Sequence, residues 1–208
     1  MPTPIYHITH LGNLASILAI DGLCAYSVMQ QQGIHYTDLA NQNIQTRRTK
    51  TIVSCGAGGK LTDYVPFYFA PRSPMLYAIH QGNVPTYTEG QEAVIYLVST
   101  VEAVQQASLS FVFTDGHGIM TLTEFFDDLA QLDQVDWQVM SLKYWFDTPE
   151  DNDRKRRRQA EFLVYQFFGW QLVTEVGVIH PSVKGEVEQC LRTATHQPAV
   201  IVRRNWYY

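Results

Sequence analysis

Thr62-Asp63-Tyr64-Val65-Pro66-Phe67-Tyr68-Phe69-Ala70-Pro71-Arg72-Ser73-Pro74-Met75-Leu76-Tyr77 is the stretch from which the fold is read. Its first half is aromatic and β-branched, as a packed strand requires. It breaks at Pro71 and then offers Arg72, Ser73, Met75 and Tyr77. A plain core strand has no use for polar and stacking groups just past its end; the wall of a site has.

Outward from that strand, the pattern alternates short strands with short helices. Residues 4–10 read as a strand and residues 13–20 as a helix, with Leu14, Ile17 and Leu18 at helical spacing and Gly22 as its stop. Residues 26–60 are polar and glutamine-rich, with Gly56-Ala57-Gly58-Gly59 near the end, so a long irregular segment around one short helix is expected; such loops are usually functional. Residues 73–80 suit a helix, 92–98 a buried strand, 101–107 a helix, and 111–113 a strand opening onto Thr114-Asp115-Gly116-His117-Gly118. An amphipathic helix is expected at 125–132, with Asp127, Asp128 and Asp133 on its wet face. Residues 159–165 fit strand or helix by periodicity, and strand is favoured. Strands at 176–179 and 199–202 and a helix at 182–193 complete an α+β pattern, read as one domain over residues 1–208.

A chain of 208 residues, 46% hydrophobic and 17% charged, can bury a full core. Its net charge of -5 argues against bulk polyanion binding, yet Arg154-Lys155-Arg156-Arg157-Arg158 carries a third of the 15 Lys and Arg, so any nucleic-acid contact is local. Cys24, Cys55 and Cys190 are odd in number and lack paired spacing, which suits a reducing compartment. Residues 1–4 show no leader signature, and no stretch approaches the roughly 18 apolar residues of a spanning helix, so no membrane association and a cytoplasmic location are expected.

Among candidate chemical groups, His7 and His10 sit three apart and, on a strand, face opposite ways, so no metal site is read there. The Gly56 to Lys60 stretch lacks the Ser or Thr and the first glycine of a phosphate loop. Glu161 stands out: it follows the cationic run and directly precedes Phe162-Leu163-Val164. A carboxylate entering a buried strand loses hydration and needs a partner or a task. It reads either as an exposed strand-start residue paired with Arg158 or as a functional carboxylate. Arg47 and Arg48 read as solvated loop charges or as ligand contacts. The basic run, preceded by Glu150, Asp151 and Asp153, reads as a solvated helix face; Tyr144-Trp145-Phe146 just upstream adds stacking surface, the pairing expected of a single-strand groove.

Taken together, Tyr6-His7-Ile8-Thr9-His10, Asn13-Leu14, Ile44-Gln45-Thr46-Arg47-Arg48, residues 63–77, 111–118 and 158–164, and Trp206-Tyr207-Tyr208 resemble the DarT family, bacterial toxins that ADP-ribosylate single-stranded DNA. The resemblance spans nearly the whole chain in order. It implies an ADP-ribosyltransferase-like core, a central split mixed β-sheet flanked by helices and clasping NAD. It also implies that His7, Ile8, Thr9, Ala15, Leu23 and Arg48 bind NAD, consumed as co-substrate without a metal, and that Glu161, Arg48 and His117 are catalytic. Arg72, Ser73, Pro74, Met75, Leu76 and Tyr77, Tyr144, Trp145 and Phe146, and Lys155, Arg156, Arg157, Arg158 and Gln159 match the segments that hold DNA. Residues 149–161 are longer and more basic than the family pattern, so 154–158 is treated as a patch. A neighbouring macrodomain antitoxin that removes the modification is the implied partner of a toxin that blocks replication.

The chemistry suits these residue types. Nicotinamide leaves NAD as a neutral base, and positive charge develops on the ribose; a carboxylate facing that charge stabilises the transition state more than the ground state. The family acceptor, a thymine ring nitrogen, must lose its proton. The arginine matched by Arg48 is assigned that proton, but a guanidinium is essentially never neutral, so Arg48 is read as stabilising the developing anion or relaying the proton, with His117 the easier base. The alternatives are the same NAD chemistry on guanine in DNA, RNA or water, and a non-catalytic nucleic-acid binding module.

Overall fold

In the computed structural model, which describes residues 2–208, the chain opens with β1 (Pro4–His10), a 3-10 turn and α1 (Leu14–Ala19), then β2 (Gly22–Cys24) and α2 (Tyr26–Gln32). Gly33 stops α2 in the left-handed conformation (φ 65). There follow α3 (Gln42–Arg48), β3 (Tyr64–Tyr68), α4 (Pro74–His80), β4 (Val94–Thr100), α5 (Val101–Gln106), β5 (Phe111–Thr114) and β6 (Phe125–Phe126). The last third holds α6 (Trp137–Ser141), α7 (Arg154–Arg157), β7 (Glu161–Tyr165), β8 (Phe167–Gly169), β9 (Glu175–Val178), α8 (Pro181–Leu191) and β10 (Ala199–Val202). Met1 lies outside the described residues.

Eight strands form one mixed sheet in the order β10-β9-β4-β1-β3-β7-β5-β6, while β2 and β8 make a separate two-stranded ribbon. The pairing is uneven. β1 matches β4 at seven positions and β3 matches β7 at five, but β1 and β3 meet at one, Tyr6 opposite Tyr68. The sheet is therefore split down its middle. Pro66 explains where: its carbonyl turns towards β1, and the N–H that would point the same way in an antiparallel strand does not exist. The carbonyl is satisfied instead by the His7 ring, whose Nδ1 donates to it at 2.8 Å.

On the far side of the split, the strands are buried on both faces. Val65, Phe67, Phe162, Val164 and Phe113 join the main core, while the alternating Tyr64, Leu163 and Val112 join a second cluster with Val53, Leu61 and Ile119. Two-sided burial gives β7 a continuous apolar sequence, and pins its register: a slip of one residue would exchange the two cores.

The helix expected at 125–132 does not form. Phe125 and Phe126 extend the sheet opposite Thr114 and Phe113, and Asp128 then accepts from the Ala130 N–H to start a 3-10 turn over residues 129–134. Pairing with β5 and a local side-chain bond outcompete a weak amphipathic pattern. The segment from 26 to 60 holds two helices rather than one. Among the described residues no helix is long and apolar enough to cross a membrane.

Phe162 is fully buried, stacked on Phe111 at 5.1 Å and edge-on to Phe69 at 6.0 Å. Phe162→Ala is expected to lower unfolding free energy by about 4 kcal/mol in a denaturant titration, the range for a large aromatic truncated in a packed core.

Candidate active site

The split in the sheet opens into a cleft with about 1220 Å³ of unfilled space, the open solvent at its mouth included. Its floor is His7, Ile8 and Thr9 of β1; Ser16 and Ile17 of α1 and Leu23 of β2 line one side, and Arg48, Tyr68, His117 and Glu161 the other. Residues 34–40 pass over it. Among the described residues, the backbone of 35–40 bonds to the rest of the chain through one side chain: Asn13 donates to the Thr37 carbonyl at 3.0 Å and accepts from the Thr37 N–H at 2.7 Å. Asn13 is itself oriented by Thr9 Oγ1 at 3.1 Å.

Glu161 begins β7 and is 3% exposed. Its partner is Arg48, in the last turn of α3, whose Nη1 donates to Oε1 at 2.9 Å and to Oε2 at 2.8 Å. The pairing with Arg158 does not occur. Thr114 Oγ1 accepts from the Glu161 N–H at 2.9 Å and donates to the Gly116 carbonyl at 2.7 Å, tying the start of β7 to the turn that carries His117. That turn is fixed further by the His117 N–H donating to the Arg156 carbonyl (3.0 Å) and by Thr123 Oγ1 donating to the His117 carbonyl (2.8 Å). Gly118 lies where an added methyl would sit 3.1 Å from Leu61 and 3.6 Å from Glu161 Oε2, so its bare backbone leaves room beside the carboxylate.

Burial lowers the His117 pKa, and Arg48, Arg47 and Lys155 lower it further against the opposing pull of Glu161. The ring is therefore neutral at pH 7. Burial likewise lowers the pKa of His7, whose Nδ1 proton is committed to Pro66. Burial, then the Glu161 charge, raises the Tyr68 phenol, which stays protonated. One atom is left over: Arg48 Nη2 is buried without a hydrogen-bond partner. A charged donor with an unused N–H on the wall of a cleft leaves a place for a polar or anionic ligand to complete.

The cleft gathers His7, Ile8, Thr9, Leu23, Arg48, Met75, His117 and Glu161. Ala15 is exposed on α1 and is not among the lining residues, where Ser16 and Ile17 stand instead. Sequence reasoning assigned no role to Asn13, Tyr68 or Thr114, although all three lie in the stretches it singled out. Among the described residues no three His, Cys, Asp or Glu side chains cluster in metal-binding geometry.

The expected DNA segments divide. Arg72, Met75, Tyr77, Tyr144 and Phe146 reach the surface, but Ser73, Pro74 and Leu76 are buried, Ser73 as the N-cap of α4. Trp145 is 2% exposed, with its Nε1 donating to the Tyr208 hydroxyl at 2.8 Å, so it is no free stacking face. The basic run is not a bare patch either. Arg154 pairs with Asp151, Arg156 with Asp115 and Asp153, and Arg157 with Asp136 and Asp151. Arg158 is 4% exposed and donates to the Val139, Met140 and Pro71 carbonyls. Lys155 alone in the run is exposed without an ion pair among the described residues, and Gln159 folds back on the Lys155 carbonyl at 3.0 Å. The acidic partners come from distant stretches, which no local reading of the run reveals.

Comparison with known proteins places this geometry. The family model "ssDNA thymidine ADP-ribosyltransferase, DarT" matches residues 6–208. A DNA ADP-ribosyl transferase of Thermus sp. (strain 2.9) is 46% identical over 211 residues, covering 100% of this chain and 97% of that protein. Solved structures of Thermus sp. 2.9 DarT superpose over 100% of this chain: the complex with ADP-ribosylated ssDNA has a TM-score of 0.93 at 45% identity over 97% of that chain, and the complex with NAD+ a TM-score of 0.87 at 42% identity over 98%.

The two arginines at either end of the basic run should differ in kind. Arg158→Ala is expected to cost about 3 kcal/mol of stability, since three buried carbonyls lose a charged donor, whereas Arg154→Ala is expected to cost under about 0.5 kcal/mol, as for a half-exposed ion pair; denaturant midpoints measure both.

Proposed function

The chain belongs to the DarT family of ssDNA thymidine ADP-ribosyltransferases, and on that premise we propose that Glu161, Arg48 and His117 carry the transfer and that NAD lies in the cleft between β1 and β3. The protein is an NAD-dependent DNA ADP-ribosyltransferase, moving ADP-ribose from NAD to a thymine ring nitrogen in single-stranded DNA. The observation that carries the residue assignment is the buried Glu161 carboxylate, held by Arg48 at the wall of the cleft, beside a neutral His117.

The bond between the ribose C1′ and the nicotinamide nitrogen breaks with its electron pair going to nicotinamide, and positive charge develops on the sugar. Glu161 is the negative charge fixed on rigid strand structure to meet it; it needs no reorganisation at the moment of reaction. The thymine nitrogen then bonds C1′ and its proton leaves. Arg48 keeps its own proton at any relevant pH, so its part is to hold Glu161 and to offer Nη2 to the substrate. His117, kept neutral by burial and by the cations around it, is the base. A base inside a duplex has this nitrogen tied up in pairing, which is why the substrate is single-stranded.

In this reading the protein is a toxin that acts on DNA in the cytoplasm. A macrodomain antitoxin is the partner we assign to it, supported by a Thermosipho africanus relative in which DNA ADP-ribosyl transferase and DNA ADP-ribosyl glycohydrolase are fused.

Mass spectrometry of single-stranded oligonucleotides incubated with NAD reads the product directly. Glu161→Ala should lower the rate by at least about 10²-fold, the effect of losing one preorganised electrostatic contact, and unchanged product formation would remove Glu161 from the mechanism. Arg48→Lys should fall by a similar factor of about 10², because a point charge cannot both grip the carboxylate and present a second donor. The acid limb of kcat/KM should lie below the ordinary histidine value of 6.5, because the ring stays an effective base until the pH falls through its lowered pKa; His117→Asn should abolish that limb.

A further inference from the structure

One member of the basic run turns its charge towards the segment that carries His117. The Arg156 side chain is 13% exposed, and all three of its nitrogens are engaged. Asp153 orients the guanidinium, accepting from Nε at 2.8 Å and from Nη2 at 2.8 Å. That leaves Nη1 to cross to the turn, where it donates to Asp115 Oδ2 at 2.9 Å and to Thr123 Oγ1 at 3.3 Å. These two residues stand on either side of His117, so one side chain fastens both ends of the connection from β5 to β6.

The contacts converge on His117 itself. The Arg156 carbonyl accepts from the His117 N–H at 3.0 Å, and Thr123 Oγ1, held by Nη1, donates to the His117 carbonyl at 2.8 Å. Each backbone polar group of His117 is thus bound to Arg156 or to a residue that Arg156 holds. The guanidinium also packs against Gly116 so closely that an added methyl would collide with Nη1 and lie 3.0 Å from Cζ; a side chain just before His117 would push the clamp out. Arg156 is not among the residues that line the cleft, so it acts on the site only through others.

We propose that Arg156 is a positioning residue for the transfer: held between Asp153 and Asp115, it fixes the turn so that the His117 ring stays in the cleft beside Glu161, and it does not serve DNA phosphates. The proposal rests on the reading of His117 as the base. A general base must be held within hydrogen-bond reach of the proton it takes, and ~1 Å of misplacement can cost about 10² in rate. The rigid fork of an arginine is what lets one cation hold Asp153, Asp115 and Thr123 together; a lysine ammonium on a flexible stem does not fix them in one geometry.

Asp115→Asn in the full chain separates this role from a phosphate contact, because the cation stays in place while the new amide has one acceptor where Arg156 and the Glu124 N–H need two. With NAD and a single-stranded oligonucleotide, kcat should fall about tenfold, while KM for the oligonucleotide and its salt dependence stay where they were. Arg156→Lys, which keeps the charge, should fall about as far. A phosphate contact gives the reverse pattern: near-full activity in both variants and, for Arg156→Gln, a log–log salt slope shallower by about 0.7. Proton NMR of the His117 ring, assigned by its absence in His117→Asn, adds a readout that needs no turnover. Glu161, Arg48, Arg47 and Lys155 are the charges that act on this ring. Losing the Asp115 anion would by itself lower the ring's pKa, whereas solvation of a loosened turn raises it towards 6.5. The clamp requires the rise, in the Asp115→Asn titration and in its acid limb of kcat/KM alike. A pKa that falls or stays put, or a loss of activity carried by KM, overturns the proposal. If the wild type adds mass to no oligonucleotide, the transferase reading fails instead, and the NMR titration still decides whether Arg156 and Asp115 hold the His117 turn.

Discussion

A missing rung between two strands governs the rest of this structure. Where β1 should zip onto β3, Pro66 has no N–H to give, and one residue pair, Tyr6 with Tyr68, is all that joins the two halves of the sheet. Each half is otherwise well paired, so the gap neither spreads nor closes. The exposed carbonyl of Pro66 finds the His7 ring, and that single side-chain bond spans the gap while leaving space beyond it. A cleft within a sheet is normally prevented by the ladder itself; here the ladder is interrupted by a residue that cannot take part in it.

What the gap makes available is a set of groups held on rigid elements from both sides. Glu161 starts a strand buried on both faces, and Arg48 ends a helix packed above it. The pair is costly to bury, and the geometry that repays it is two hydrogen bonds to one guanidinium nitrogen. Removing either partner would strand a charge in a poorly solvated place, which ties the fold of this region to the integrity of its chemistry. The remaining guanidinium nitrogen is buried and has no hydrogen-bond partner.

The sequence carried the parts of this arrangement that depend on local pattern. The strands at β1 and β4 are apolar enough to be read directly, β7 fits strand or helix by period until its pairing with β3 and β5 decides it, and α4 follows the helical pattern from Ser73, which caps it. β2 and β8 could not be read: three residues each, they exist because Gly22 meets Gly169 across the chain, and Phe167 and Phe168 alone carry no period. The same limit applies to the site. A lone carboxylate at the start of an apolar run is visible as an anomaly, but its partner lies 113 residues away. The basic run misleads for the converse reason: its charge is visible and its neutralisation by Asp115 and Asp136 is not. Pro66 was legible in hindsight as an interruption in the strand that otherwise decides the fold.

The roof over the cleft has an energetic consequence. Lifting residues 35–40 means giving up the paired bonds from Asn13 to Thr37 and baring Leu39, which is 4% exposed. Two neutral hydrogen bonds and one leucine together amount to about 4 kcal/mol. The roof is thus fastened at one polar and one apolar point, and neither is a rung of the sheet beneath it.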